Sequence, residues 1–361
     1  MNEISKTKTM KAVVVRENGP ASSPQALHFE SDYPTPTLIQ GHAIVKNHYS
    51  GINFIDTYHR QGLYPRNLPF ICGQEGGGTI VSIMSMPNVN VNVNENDDAA
   101  TGEQFQIGDR VVYSSLETYA EYTLVPIKKL IAVPQDVDMK IALACMVQGL
   151  TAHYLITSAH VNLIQKGEWC LIYSVGSGTC QWAAQMAKIQ GYKVIGTTSR
   201  NKLEQAKGAN CDELIVLEEA PGKGYADYNS VDIVQTVMEI TKGEGAKLIV
   251  DGVGKSTADI SLGCLARRGI FVSFGNASGA VEPFPLLRLT KKSAFVTRPK
   301  LGDYVSTRKE LLGRVNEVFD WVRSGELKIG IDKEFSLEEA ADAHHFIESG
   351  RTKGKLLLTI S

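Results

Sequence analysis

The sequence carries almost no net charge. Its 37 Lys plus Arg against 39 Asp plus Glu leave −2, so the global basic field that suits a nucleic-acid binder is missing. No apolar run approaches the roughly 18 residues that would span a bilayer. The segment Met1–Lys11 is polar and offers no apolar stretch for a signal peptide. Nor is there a C-x-x-C pair. Cys72, Cys145, Cys170, Cys180, Cys211 and Cys264 are scattered, which excludes a zinc knuckle and makes a disulfide framework unnecessary in so long a chain. The eight histidines show no metal-ligand spacing either. These absences point to a cytoplasmic protein whose cysteines are mostly small core residues.

What is present is the composition of a folded chain, 43% hydrophobic and 21% charged. A length of 361 residues exceeds what one core usually supports, so two domains are expected. The first 130 residues read as short strands separated by turns: Met10–Arg16, Ala43–Tyr49, Gly77–Met84 and Arg110–Tyr113. That pattern suits a compact barrel or sandwich. Residues 86–106, with alternating Asn and Val followed by Glu95-Asn-Asp-Asp98, read as an exposed insertion rather than an edge strand. Beyond Pro134 strands alternate with helices, which implies a parallel sheet with covered faces. A strand at Lys355–Ile360 ends the chain and is placed to return to the first domain.

Chemistry concentrates at Trp169–Ser174, Val175-Gly-Ser-Gly178 and the helix expected over Thr179–Gln190. A glycine turn between strand and helix lets backbone approach a pyrophosphate, and the helix N-terminus favours its charge. A site for NAD usually adds a carboxylate about 20 residues on, for the ribose hydroxyls. Here the next strand ends in Ser199-Arg-Asn-Lys202. Ser199, Arg200 and Lys202 can donate to a 2′-phosphate, so the expected cofactor is NADPH. Against this, Arg200 and Lys202 could simply be a solvated basic pair.

Several motifs carry a family resemblance over nearly the whole chain: Asn53-Phe-Ile-Asp-Thr-Tyr58, Gly62-Leu-Tyr-Pro65, Gly108-Asp-Arg-Val-Val-Tyr113, Gly149-Leu-Thr151, Arg267–Gly279 and Val296-Thr-Arg-Pro299. They resemble the zinc-free, zeta-crystallin-like quinone oxidoreductases of the medium-chain dehydrogenase/reductase superfamily. The resemblance implies an α/β protein with a GroES-like β-barrel catalytic domain (1–135 and 301–361) and a Rossmann doubly wound parallel-sheet domain (136–300). It also implies NADPH in the cleft, a small-molecule quinone as acceptor and a homodimer through the Rossmann sheets. Asn53, Tyr58 and Tyr64 would line the nicotinamide and quinone pocket, where an amide and phenols can donate to a quinol oxygen. Asp56 would anchor the loop. Thr151, Gly176, Ser177, Gly178, Thr179, Val253, Phe274, Arg298 and Lys355 fall in segments that contact cofactor in relatives.

The same resemblance implies that no metal is used. Asn53, Gln74 and Val147 stand where zinc-dependent relatives have Cys, His and Cys, and those residue types make no zinc site. One departure concerns the glycine turn: Ser174, Ser177 and Cys180 replace Ala, Gly and Gly, adding side chains where backbone meets pyrophosphate and where helix meets strand. The family tyrosine near the adenosine is also missing at Ile215-Val-Leu217. Two other readings therefore stand beside quinone reduction. One is an NADPH-dependent enone or enal reductase; the other is a weakly active relative that binds nucleotide, with RNA as a secondary partner.

Overall fold

The computed structural model describes residues 8–85, 104–221 and 225–360. Most of the expected insertion, residues 86–103, lies outside them. Eight strands come from the first part of the chain: β1 (Thr9–Val15), β2 (His28–Pro34), β3 (His42–Ile52), β4 (Phe70–Ile71), β5 (Glu75–Met84), β6 (Arg110–Ser114), β7 (Tyr122–Pro126) and β8 (Leu130–Ala132). The long β3 organises them, pairing antiparallel with both β5 and β7. Close approach of β3 and β5 requires glycine: a Cβ on Gly78 would stand 1.9 Å from the Lys46 carbonyl oxygen. Helix α1 (Phe54–Gln61) follows β3 directly and ends on Gly62, whose φ of 80° is the left-handed conformation that closes helices.

A parallel sheet of β9 (Trp169–Ile172), β10 (Lys193–Ser199), β11 (Glu213–Leu217), β12 (Ala246–Asp251), β13 (Leu265–Ser273) and β14 (Phe295–Thr297) forms the second lobe, in the order β11-β10-β9-β12-β13-β14. The order reverses beside β9, the position where doubly wound sheets bind ligands at strand C-termini. Three helices precede or follow β9: α2 (Met139–Ala144), α3 (Leu150–Thr157) and α4 (Gly178–Ile189). In α4, Trp182, Ala183, Met186 and Ala187 are buried, as the i, i+1, i+4, i+5 spacing of one helix face requires. Helices α5 (Leu203–Lys207), α6 (Ile233–Ile240), α7 (Ala258–Cys264), α8 (Leu301–Tyr304) and α9 (Arg308–Ser324) complete the crossovers and flanks.

Met139–Thr157 forms a continuous helical run of 19 residues, long and apolar enough to cross a membrane, although Lys140, Gln148 and His153 punctuate it. Within it, an 18-residue window is 72% buried inside the protein, so the run is accounted for as a core helix of the lobe.

The chain then comes back. β15 (Ile331–Ser336), helix α10 (Ala340–Glu348) and β16 (Lys355–Thr359) end it, and β16 pairs antiparallel with β3 through Leu356–Ile52 to Thr359–Tyr49. Residues more than 300 positions apart thus form adjacent rungs at the end of β3 that enters helix α1.

Candidate active site

Three clusters of side chains make up the candidate site. The first is the glycine turn. β9 stops at Ile172, and Ser174 takes a φ of 58° before the chain enters α4 at Ser177. A Cβ on Gly176 would stand 2.8 Å from both Lys202 Cβ and Thr198 Oγ1, so this glycine is what lets the next strand's end pack on the turn. Ser177 is extended (φ −145°), and its hydroxyl donates to the Ser174 carbonyl at 3.0 Å. The extra side chain is thereby folded back into the turn, and no side chain caps α4. The leading N–H groups of α4, from Gly178 through Cys180, retain the anion-binding character of a helix start. Cys180 is packed into the core. Gln148 lies against Gly178, with its Oε1 3.0 Å from where a Cβ would stand and no hydrogen-bond partner of its own. Thr151 sits three residues further along that helical run. Beside the turn, Tyr228 Oη lies 2.7 Å from Ser174 Oγ.

At the end of β10, Ser199 Oγ donates to Asn201 Oδ1 at 2.7 Å. Lys202 Nζ donates to the Thr352 carbonyl at 2.6 Å. Burial lowers its ammonium to about 8, with Asp332 opposing that shift and Lys353 adding to it. Arg200 is exposed and ion-paired to Glu218, Nη2 to Oε1 at 2.5 Å, while the Asn201 N–H donates to Glu219 at 2.8 Å. Two carboxylates from the end of β11 therefore reach a stretch that has none in its own sequence. Sequence reasoning missed them because they lie 18 residues away.

The second cluster spans the cleft. Tyr58, on α1, and Tyr64 meet edge to face with centroids 5.4 Å apart. Tyr58 Oη accepts the Asn276 N–H at 3.2 Å, and Tyr64 Oη accepts from Asn276 Nδ2 at 3.4 Å and from Arg298 Nη2 at 3.5 Å. Arg298 Nη1 is held by Ser273 Oγ at 3.0 Å and the Gly275 carbonyl at 2.9 Å. Phe274 lies on Gly252, and the Val253 N–H donates to Asp251 Oδ1 at 2.8 Å, so both stand at strand C-termini beside this group. Tyr58, Tyr64, Phe274 and Arg298 are thus brought together. Asn276 is the residue the sequence reading passed over, although it lies inside the Arg267–Gly279 motif. Each phenol accepts in these bonds and keeps its own O–H to donate. Burial raises the Tyr58 phenol, so that proton is retained.

The third cluster is buried. Lys355 Nζ is ion-paired with Glu75 Oε1, and both side chains are wholly inaccessible. Asn53 joins them, donating Nδ2–H to Glu75 Oε1 at 2.8 Å and accepting from Lys355 Nζ at 3.0 Å. The Val147 N–H donates to Glu75 Oε2 at 2.8 Å. Both ends of the Asn53 amide are therefore engaged, and the Lys355 side chain is with Asn53 rather than at the glycine turn. Gln74 Nε2 is buried with no partner. The donor set does not suit zinc: its only carboxylate is already matched by an ammonium, whose charge would repel a divalent cation.

Family profiles match for an alcohol dehydrogenase GroES-like domain over residues 39–135 and for a zinc-binding dehydrogenase over residues 223–358. A quinone oxidoreductase of Pseudomonas aeruginosa is 36% identical over 319 residues, covering 87% of this chain and 90% of its own. Among solved structures, the Escherichia coli quinone oxidoreductase complexed with NADPH superposes with a TM-score of 0.83 at 32% identity, covering 97% of this chain and 99% of that one. A mycobacterial protein complexed with NADPH gives 0.84 at 32% identity, covering 97% and 100%. Similarity of that extent is common descent, and the chain belongs to the zinc-free quinone oxidoreductases of the medium-chain dehydrogenase/reductase superfamily.

Proposed function

We propose that this chain catalyses the NADPH-dependent reduction of quinones, with residues 136–300 holding the cofactor and residues 1–135 and 301–361 forming the acceptor side. The observation that carries this reading is the meeting of Tyr58 and Tyr64 with Asn276 and Arg298 across the cleft. The uncapped start of α4 fits a pyrophosphate, and the space kept by Gly176 and Gly178 fits backbone approach to it. Ser199, Arg200 and Lys202 would take the 2′-phosphate, with Arg200 shared between phosphate and Glu218. Thr151, Ser177, Thr179, Val253 and Phe274 would line the remainder of the groove. Bound NADPH supplies the hydride.

The chain's own residues do the rest. Tyr58 and Tyr64 orient the acceptor and donate to its reduced oxygen, while Asn53 and Lys355 fix the floor beneath α1. A quinone is electron-poor already, so positioning replaces a Lewis acid. Oxidation of NADPH with 1,4-benzoquinone tests the activity, and no rate above background at high protein concentration would remove it. Lys202→Ala is expected to raise KM for NADPH roughly 10- to 100-fold, the worth of one charge-assisted hydrogen bond, while KM for NADH stays put. Since the free Lys202 ammonium titrates at about 8, NADPH binding should also weaken as pH rises past that value. A pH-independent KM would contradict the assignment.

A cytosolic homodimer completes the proposal. β14 is an edge strand, and Leu286 (78% exposed), Leu287 (81%) and Phe295 (45%) present apolar surface beside it. A second copy pairing edge to edge would cover that surface and continue the sheet. Sedimentation should give a dimer, and Val296→Pro, which removes a donor from the edge, should shift it to monomer.

A further inference from the structure

Behind α1, a line of buried polar side chains runs from the cleft toward the surface. Asp56 Oδ2 accepts the Asn53 N–H at 2.8 Å and the Tyr119 hydroxyl at 3.1 Å. Tyr119 Oη lies 3.2 Å from His344 Nε2, and His344 Nδ1 lies 3.1 Å from Arg60 Nη1. Arg60 then meets Glu348 at 2.6 Å, the only partly exposed member. Asp56, Tyr119, His344 and Arg60 are each at most 1% exposed, and they come from α1, the approach to β7, and α10.

The line has a direction. A guanidinium carries donors and no acceptor, so His344 Nδ1 must accept from Arg60. In the neutral ring the proton then sits on Nε2 and is donated to the Tyr119 oxygen. Tyr119 is left with its O–H free to donate, and it does so to Asp56. Burial, with Arg60 and His345 adding to it, lowers the His344 imidazole to about 3 and keeps it neutral. Asp56 Oδ1 has no partner at all, so only the Oδ2 bonds set the carboxylate's orientation.

We propose that His344, acting through Tyr119, is a positioning residue for the acceptor side of the cleft: the pair holds the Asp56 carboxylate as the acceptor that fixes the Asn53 end of α1. The inference rests on the quinone-reducing reading of that cleft. Charged and titratable groups around Asp56 are Glu75, which opposes its ionisation, Lys355 and Arg66, which favour it, and the Cys72 thiol. Burial raises the Asp56 carboxyl to about 7, against the pull of the Asn53 and Tyr119 bonds. Hydrogen bonds to a carboxylate are stronger than to its acid, so the hold on Asn53 loosens as Asp56 is protonated.

Tyr119→Phe keeps the ring and deletes the donated bond. With 1,4-benzoquinone it should lower kcat/KM roughly tenfold and move the acid limb of that profile up by about one pH unit, while NADPH affinity by fluorescence stays within about twofold. His344→Leu should do the same, and His344→Gln, whose amide can accept from Arg60 and donate to Tyr119, should restore the wild-type profile. Unchanged profiles in both Tyr119→Phe and His344→Leu, or a His344→Gln profile no better than His344→Leu, would overturn the proposal. A second readout needs no turnover. The pH dependence of Tm for the ligand-free chain, compared with Asp56→Asn, locates the Asp56 inflection, which should rise in Tyr119→Phe; an unmoved inflection overturns the proposal as well. Should Tyr119→Phe fail to fold, the His344→Gln and His344→Leu pair carries both comparisons. Wild-type protein inert toward quinone but showing the shifted inflection would instead remove the functional reading and leave the network standing.

Discussion

Lys355→Met should be among the most damaging single substitutions in the chain, costing about 3–5 kcal/mol of stability. The reason is the charge it strands. Glu75 is wholly buried, and its carboxylate meets Lys355, the Asn53 amide and the Val147 N–H. Removing the ammonium leaves the anion with neutral donors alone in a medium that solvates it poorly. The double variant Glu75→Gln/Lys355→Met should recover most of the loss, because an amide keeps an oxygen for the Val147 N–H without needing a counter-charge. Urea midpoints of the wild type, both single variants and the double variant check this. A double variant as unstable as the worse single one would show that the pair matters for shape rather than charge.

Asp56→Asn and His344→Gln should tilt the dependence of stability on pH in opposite directions. The Asp56 carboxyl titrates at about 7 in the fold against an ordinary 3.8, so between those values the folded chain holds a proton that the unfolded chain has released. Its contribution to stability is complete below 3.8 and is lost as pH rises through about 7. His344 is the reverse. Lowered from 6.5 to about 3, it contributes fully above 6.5 and loses that contribution as pH falls toward 3. In their overlap each slope approaches about 1.4 kcal/mol per pH unit, with opposite sign, and the two nearly cancel. Asp56→Asn should therefore leave a chain that weakens on acidification, and His344→Gln one that strengthens. Denaturant midpoints from about pH 4.5 to about 6.5 would show it, and parallel curves for the two variants would rule it out.

Much of the architecture was legible from local pattern. β1 and β6 fall within one residue of where alternation and apolar runs place them, and α4 begins within one residue of its expected start, because glycine, burial and periodicity act over a few residues. The family was legible too, since its motifs are contiguous. What was not legible is long-range. Glu75 and Lys355 are 280 residues apart, and nothing near either one names the other. Tyr119 and His344 are 225 apart, and His344 reads in sequence as one of two adjacent helical histidines with no distinguishing neighbour. Ser177 was expected to crowd the pyrophosphate position. Its hydroxyl instead turns back to Ser174, a choice set by backbone angles that composition does not encode. Asn276 was hidden for a further reason: an asparagine in a glycine-rich stretch looks like turn chemistry until two tyrosines arrive from the other lobe.

The return of β16 to β3 also has a consequence for biosynthesis. While the ribosome is still reading the message, the amino-terminal strands can pair with one another, but the anion at residue 75 has no cation until residue 355 has left the exit tunnel. Completion of the pocket therefore waits for residue 355, and the nascent chain must carry an unfinished barrel edge until that strand emerges.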